Sequence, residues 1–514
     1  VMEMVGGEMP SFTEDRPRAG GALFGHLAAH LPAGAEVLVA GPHDDALIDA
    51  LAGRATVTCL LRSQPEAIEL EARGVRVLCG TLPKVTEAER YDVVVALDGL
   101  GRLCSVEGPQ LDWAESLQAL KRLLRPGGTL LLAVENELGV HKLVDPSSTT
   151  SAQDDSAWRP LGEFDTKPGN PGRLAARLSA EGLAIDWLGA AWPSPEAPTL
   201  IATPNALHDG PADALAAVTA SATARAYAGR PVLSDPRRLA AAAVRGGLGP
   251  ELAAAWIVAA HRAPRPAAVL SLPPVLLTAP VASRDAGEGP AAADGAVIGL
   301  APGRDGAWTR RVLHEVPGHD LSALDGPLPR GRLLEELLLA ACLRDDLPIV
   351  RRLLTGWASA LPDATADNVV VHRDTYTVLD PSVPPQADVI RRFAETLLGG
   401  GYAHPWPAAT DVRTLTTILH GAAGLPDDVP PGEDPPPPDA RREHEEQIRA
   451  LRRQLADAAS RAQWYERELD RRDSELRKAR MQIAAFSGSV GFRVAKLGYG
   501  VARKARNRLR KGLS

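Results

Sequence analysis

Three groups of residues in this chain have types and spacings that could do chemistry. The first follows the apolar run Glu36–Ala40 and reads Gly41-Pro42-His43-Asp44-Asp45. A glycine turn and the backbone amides of a helix start can cradle a polar ligand, and Asp44 or Asp45 is placed to cap that helix. Arg62 and Asp98 each stand just past a further apolar run; Asp98 could meet a substrate or cap the helix near Trp113. The second group, Glu135, Asn136 and His141, follows the run Thr129–Val134. A carboxylate or imidazole there could take a proton from a hydroxyl, although each alone also reads as an ordinary polar loop residue. The third group is Asp363, Asn368 and Asp380 in LPDATADNVVVHRDTYTVLDPS, at a helix exit, a hairpin start and a hairpin end.

The elements that must position these groups are legible around Leu120 to Gly139. Leu120, Leu123 and Leu124 form an apolar helical stripe, Pro126-Gly127-Gly128 ends it, and Thr129–Val134 reads as a buried strand. Tyr91–Leu97 (YDVVVAL) is a continuous apolar run of the kind parallel strands show when both faces are covered. Further strands are expected at 36–40, 56–60, 74–78, 183–188 and 199–203, with helices between most of them. The expectation is a doubly wound α/β sheet, Rossmann-like, over residues 21–206. Ligands bind outside the carboxyl ends of such strands, which gathers Gly41 to Asp45, Arg62, Asp98 and Glu135-Asn136 around one cleft.

A chain of 514 residues is too long for one core, and about three units are expected. The net charge of -7 gives no general nucleic-acid footprint. Cys59, Cys79, Cys104 and Cys342 sit singly in apolar runs and read as buried thiols of a reducing compartment. Residues 1–20 carry acids where a signal peptide needs bases and read as a disordered tail; no segment is long enough to span a bilayer. A cytoplasmic protein is expected, peripheral on the inner face of the membrane at most. Residues 207–425 form an Ala-rich middle domain, and 426–440 a Pro-rich spacer.

From 441 to 487 the period becomes seven. Ile448, Leu455, Ala462, Leu469, Leu476 and Ile483 occupy one heptad position, and Leu451, Ala458, Tyr465, Arg472, Ala479 and Phe486 the other. This predicts a coiled coil and a homo-oligomer. Residues 488–514 contain no acid and carry Arg493, Lys496, Arg503, Lys504, Arg506, Arg508, Arg510 and Lys511 among apolar residues. Such an end suits an anionic membrane surface, with nucleic acid the second choice.

The sequence from Tyr91 to Val134, an Asp-bearing apolar strand followed by L-R-PGG and a second apolar strand, resembles class I S-adenosyl-L-methionine (SAM)-dependent methyltransferases. The resemblance implies SAM as cofactor, with Gly41, His43, Asp44, Asp45, Arg62 and Asp98 on the cofactor side and Glu135, Asn136 and His141 on the methyl-acceptor side. The family's G-x-G-x-G is reduced here to Gly41, and no acid follows the second strand, where Leu60-Leu61-Arg62 stands. The third group resembles the catalytic loop of protein-kinase-like phosphotransferases, which implies an α+β lobe with Asp363 as base and Asn368 and Asp380 as Mg²⁺ ligands for Mg-ATP. No lysine occurs between Lys167 and Lys478, so such a lobe is degenerate; Arg310 or Arg311 could replace the missing lysine. The order of the parts is similar to that of O-antigen chain-terminating methyltransferase/kinase proteins. That likeness implies O-methylation of a sugar, glycan or other small acceptor in envelope polysaccharide or glycoconjugate synthesis. The alternative is a catalytically inactive scaffold that assembles partners at the membrane.

Overall fold

The structure is a computed structural model that describes residues 2–14, 16–145, 166–230, 232–262, 271–279, 295–316, 320–426, 438–488 and 490–511. It divides into a unit running to Arg442 and a second that holds Glu443–Ser514.

The strands of the first unit, in chain order, are β1 (Met2–Gly6), β2 (Glu36–Ala40), β3 (Thr56–Leu61), β4 (Arg76–Gly80), β5 (Tyr91–Ala96), β6 (Leu124–Glu135), β7 (Leu183–Trp192), β8 (Leu200–Ala202), β9 (Ala255–Arg262), β10 (Val275–Ala279), β11 (Ala296–Pro302), β12 (Trp308–His314) and β13 (Gly326–Pro327). They form one sheet in the order β1-β4-β3-β2-β5-β6-β9-β7-β8-β10-β11-β12-β13. From β1 to β6 all pairs are parallel, and the winding reverses between β2 and β5, the switch point of a doubly wound sheet. Alternation along each strand divides the core in two. Leu38, Leu60, Leu78, Val94 and Leu130 bury one face, while Val37, Cys59, Val77, Val93 and Leu131 bury the other. Both faces are covered, which is why these strands read as unbroken apolar runs.

Four expectations need correction. Residues 2–6 are an ordered strand pairing with β4, and residues 9–14 and 16–21 run across the sheet, so these residues are no disordered tail. The boundary at 206 does not end the sheet. β9 is inserted antiparallel between β6 and β7, while the expected seventh strand (β8) is an antiparallel neighbour of β7 that leads into β10 to β13. Pro126-Gly127-Gly128 lies inside β6, where Gly127 takes φ 76° and the register against β5 shifts. Cys104 is half-buried, unlike the other three cysteines.

The middle lobe is smaller. Helix Leu334–Leu343 and helix Leu347–Ala360 precede the hairpin β15 (Val369–His372) and β16 (Thr375–Val378), and β14 (Arg332–Leu333) pairs with β15. The hairpin turn is only Arg373-Asp374, with Arg373 at φ 57°. Its separate core centres on Trp357, Phe393, Leu354 and Leu415.

Helix Pro438–Gly488, of 51 residues, begins at the end of the first unit and continues through the second, and helix Val490–Lys511 follows. Residues 427–437 of the expected spacer lie outside the described residues. Leu455, Leu469, Leu476 and Ile483 are each more than half exposed, so the heptad seam faces outward. Among the described residues no helix is long and apolar enough to cross a membrane.

Candidate ligand cleft

The carboxyl ends of β3, β2, β5 and β6 bring together the residues read as a cofactor side, and each has a partner within the chain. Gly41 closes β2 at φ 90°, in the region that favours glycine. His43 turns inward: its Nδ1 lies 2.9 Å from the Gly41 carbonyl, and its Nε2 accepts the Leu97 N–H at 3.1 Å. Burial pushes its pKa down to about 4, so the ring is neutral and fixes β2 to β5. Asp44 caps the next helix by accepting the Leu47 N–H at 2.8 Å, and its other oxygen accepts the Gly21 N–H at 3.1 Å. A Cβ at Gly20 would stand 1.7 Å from that oxygen, so only glycine lets the N-terminal segment lie on Asp44. Asp45 points outward to Arg73 at 2.6 Å and Arg18 at 3.7 Å. Asp98 does not cap the helix near Trp113. Asp112 and Glu115 do so as a capping box, while Asp98 receives the Arg102 guanidinium, with Nε at 2.8 Å. Burial raises the Asp98 pKa to about 6 against the pull of Arg102.

Residues 9–14 and 16–21 form a strap over these strand ends. The Met9 N–H bonds the Arg62 carbonyl, the Ser63 hydroxyl bonds the Phe12 carbonyl, and the Asp44 N–H bonds the Ala19 carbonyl at 2.8 Å. Between these points the Glu14 carboxylate meets Arg62 at 2.7 and 3.1 Å and lies 3.7 Å from Arg102. Arg102 also donates to the Arg16 and Pro17 carbonyls at 3.2 and 2.8 Å. Glu14, Arg16 and Arg102 were not found from the sequence. The usable signal was Arg102 itself, four residues beyond Asp98 in the same turn.

At the end of β6, Glu135 lies 3.3 Å from His141 Nε2, 2.6 Å from Lys142 and 3.6 Å from Arg16. Burial favours its neutral form, but the His141 hydrogen bond and the Lys142 charge outweigh that and hold it well below the usual carboxylate range. Glu135 is therefore a poor base. Asn136 is structural: its amide donates to the Glu251 and Ala253 carbonyls at 2.6 and 2.8 Å and accepts the Leu138 N–H at 3.0 Å. His141 faces Glu135 through Nε2, while its buried Nδ1 has no hydrogen-bond partner among the described residues.

A SAM ribose needs a free hydrogen-bond acceptor, and with the strap in place the carboxylates of Asp44 and Asp98 are engaged. SAM would have to compete for them with the Gly21 N–H and the Arg102 guanidinium. The Mg²⁺ set does not assemble. Asn368 spends its amide on the Asp380 backbone, donating to the carbonyl at 2.9 Å and accepting the N–H at 2.8 Å. One Asp380 oxygen takes the Ser382 N–H at 3.0 Å; the other faces Arg225 at 3.9 Å. Arg310 donates to the Leu379 carbonyl at 2.6 Å, so it does reach the hairpin end, and Asp363 is exposed. Among the described residues no cluster of three or more His, Cys, Asp or Glu could hold a metal.

No family model and no curated protein matches the sequence. Solved methyltransferase structures resemble about half of the chain. One is the Burkholderia thailandensis 1,6-didemethyltoxoflavin-N1-methyltransferase with 1,6-didemethyltoxoflavin and S-adenosylhomocysteine, at 14% identity over 47% of this chain and 77% of that one, TM-score 0.26. A Mesorhizobium loti SAM-dependent methyltransferase has 16% identity over 46% and 96%, TM-score 0.28. A Geobacter sulfurreducens one in complex with S-adenosylhomocysteine has 16% identity over 47% and 90%, TM-score 0.25. Scores this low assign no activity.

Proposed function

We propose that the first unit is a SAM-dependent methyltransferase-type domain that methylates a hydroxyl of a sugar, glycan or other small acceptor, in envelope polysaccharide or glycoconjugate synthesis. The observation that carries the reading is the parallel array β4-β3-β2-β5-β6, with its switch point between β2 and β5 and the Gly41 turn at the end of β2. On the acceptor side His141 would take the hydroxyl proton through Nδ1, the nitrogen not facing Glu135, once that buried atom is uncovered to the acceptor. SAM would have to displace the strap before its ribose could reach Asp44 or Asp98. Transfer of labelled methyl from SAM to mono- and oligosaccharide acceptors tests this, with His141→Asn expected to lose most of the turnover. No transfer to any hydroxyl acceptor by protein that binds SAM would reject the acceptor class.

A second reading has its own support. The cleft carboxylates are satisfied within the chain, and Asp380 faces Arg225, as in a scaffold whose nucleotide-type folds have lost their ligands. Under either reading the helix Pro438–Gly488 pairs with a second copy of this chain. In a parallel, in-register pair the flanking heptad positions place Arg461 beside Glu466 and Glu475 beside Arg480, against one like-charged pair, Glu468 beside Asp473. An antiparallel pair instead sets Arg452 beside Arg480 and Glu466 and Glu468 each beside its own copy, with Arg461 beside Glu475 as its opposite-charged pair. Helix Val490–Lys511, with Val494, Leu497 and Val501 exposed at helical spacing and Arg503, Lys504 and Arg506 beyond them, suits an anionic lipid surface.

A further inference from the structure

Arg62 stands where the second strand of the doubly wound half ends. In dinucleotide-binding sheets a carboxylate near that place holds ribose hydroxyls, whereas an arginine accommodates a phosphate. Arg102 reaches the same spot from the turn after β5, anchored by Asp98. Both cations belong to the sheet scaffold and are largely covered, at 18% and 8% side-chain exposure. The anion between them does not belong to that scaffold. Glu14 sits in neither strand nor helix, is 3% exposed, and presents both carboxylate oxygens to the Arg62 fork at 2.7 and 3.1 Å. That is the two-point geometry a guanidinium offers to a carboxylate or a phosphate.

We infer that Arg62 and Arg102 are an anion-binding pair occupied from within by Glu14, and that the cleft takes a ligand whose phosphate or carboxylate replaces the Glu14 carboxylate. This rests on the cleft being a ligand site but does not require the ligand to be SAM. One carboxylate leaves, one anion enters, and no covalent bond changes. An arginine left buried and unpaired is strongly destabilising, so strap release and anion entry are coupled.

The test uses the full chain as wild type, Glu14→Gln, Arg62→Met and the double variant, titrated calorimetrically with inorganic pyrophosphate and with S-adenosylhomocysteine. Glu14→Gln should bind one of these at least about tenfold more tightly than wild type, and adding Arg62→Met should remove the gain. A gain for pyrophosphate alone identifies phosphate as the group, and a gain for S-adenosylhomocysteine identifies carboxylate. If Glu14→Gln is too unstable to titrate, its melting midpoint in millimolar pyrophosphate should rise more than that of wild type. Glu14→Gln binding both probes no better than wild type, or a gain that survives Arg62→Met, would overturn the inference. Failure of the SAM reading looks different: no S-adenosylhomocysteine heat in any variant, while pyrophosphate still responds to Glu14 and Arg62.

Discussion

The His43 imidazole accepts the Leu97 N–H at 3.1 Å and so ties the end of β2 to the end of β5, across the switch point of the sheet. Its pKa, about 4 in the fold, lies below the value near 6.5 of an unfolded histidine. Between these values the unfolded chain takes up a proton that the folded one refuses, so stability is present above pH 6.5 and lost as pH falls toward 4. The part due to His43 should be about 2 kcal/mol between pH 7 and pH 5. Asp98, with its raised pKa, works in the opposite sense and recovers stability below about pH 6. Urea unfolding of wild type and His43→Gln at both pH values isolates the first effect; an equal acid loss in the variant would contradict the assignment.

Asn368 fixes the base of the β15–β16 hairpin through two bonds to the Asp380 backbone. Asn368→Ala should destabilise the protein by about 1 kcal/mol or more, since it strands the half-buried N–H and carbonyl of Asp380. Mg²⁺ should raise the wild-type melting midpoint no more than the same ionic strength of NaCl. A Mg²⁺-specific rise that disappears in Asp380→Asn would restore the phosphotransferase site.

Light scattering should find the full chain dimeric. Arg461→Glu should weaken the dimer by about tenfold and Arg461→Glu/Glu466→Arg should restore it, because symmetry duplicates each flanking pair. Ala479→Cys should cross-link to itself. A monomer at micromolar concentration, or cross-linking of Ala479→Cys only to Leu455→Cys, would refute the parallel pair.

The helix Val490–Lys511 should hold the protein on vesicles containing anionic lipid, with an affinity that falls as salt rises, each basic residue near the surface contributing about 1 kcal/mol. Removing residues 491–514 should abolish co-sedimentation. Undiminished binding of the truncated protein would place the contact elsewhere.

The strands β2, β3, β5 and β6 were legible because burial on both faces makes each an unbroken apolar run bounded by turn residues. β9 was not: it reads as one more stretch of an Ala-rich region, and only its long-range pairing with β6 and β7 makes it central to the sheet. The strap had no periodicity to find, since single contacts through Glu14, Arg16, Ala19 and Gly20 hold it. The residues read as cleft candidates do stand at strand ends, but most of their partners come from distant parts of the chain. Sequence spacing placed Asp98 after β5, with Arg102 four residues on; only the fold brings Glu14 onto Arg62 and leaves Asn136 bonded to the residues before β9.

The central claim is that the cleft at the ends of β3, β2, β5 and β6 binds SAM once the strap moves. Calorimetry of S-adenosylhomocysteine with the full chain tests it most directly, using wild type, Glu14→Gln and Gly41→Val. Saturable heat is predicted for wild type, tighter binding for Glu14→Gln, and loss for Gly41→Val, whose side chain would enter the turn at φ 90°. No heat at millimolar ligand from wild type and Glu14→Gln, both shown to be folded, would contradict the account and leave the scaffold reading in its place.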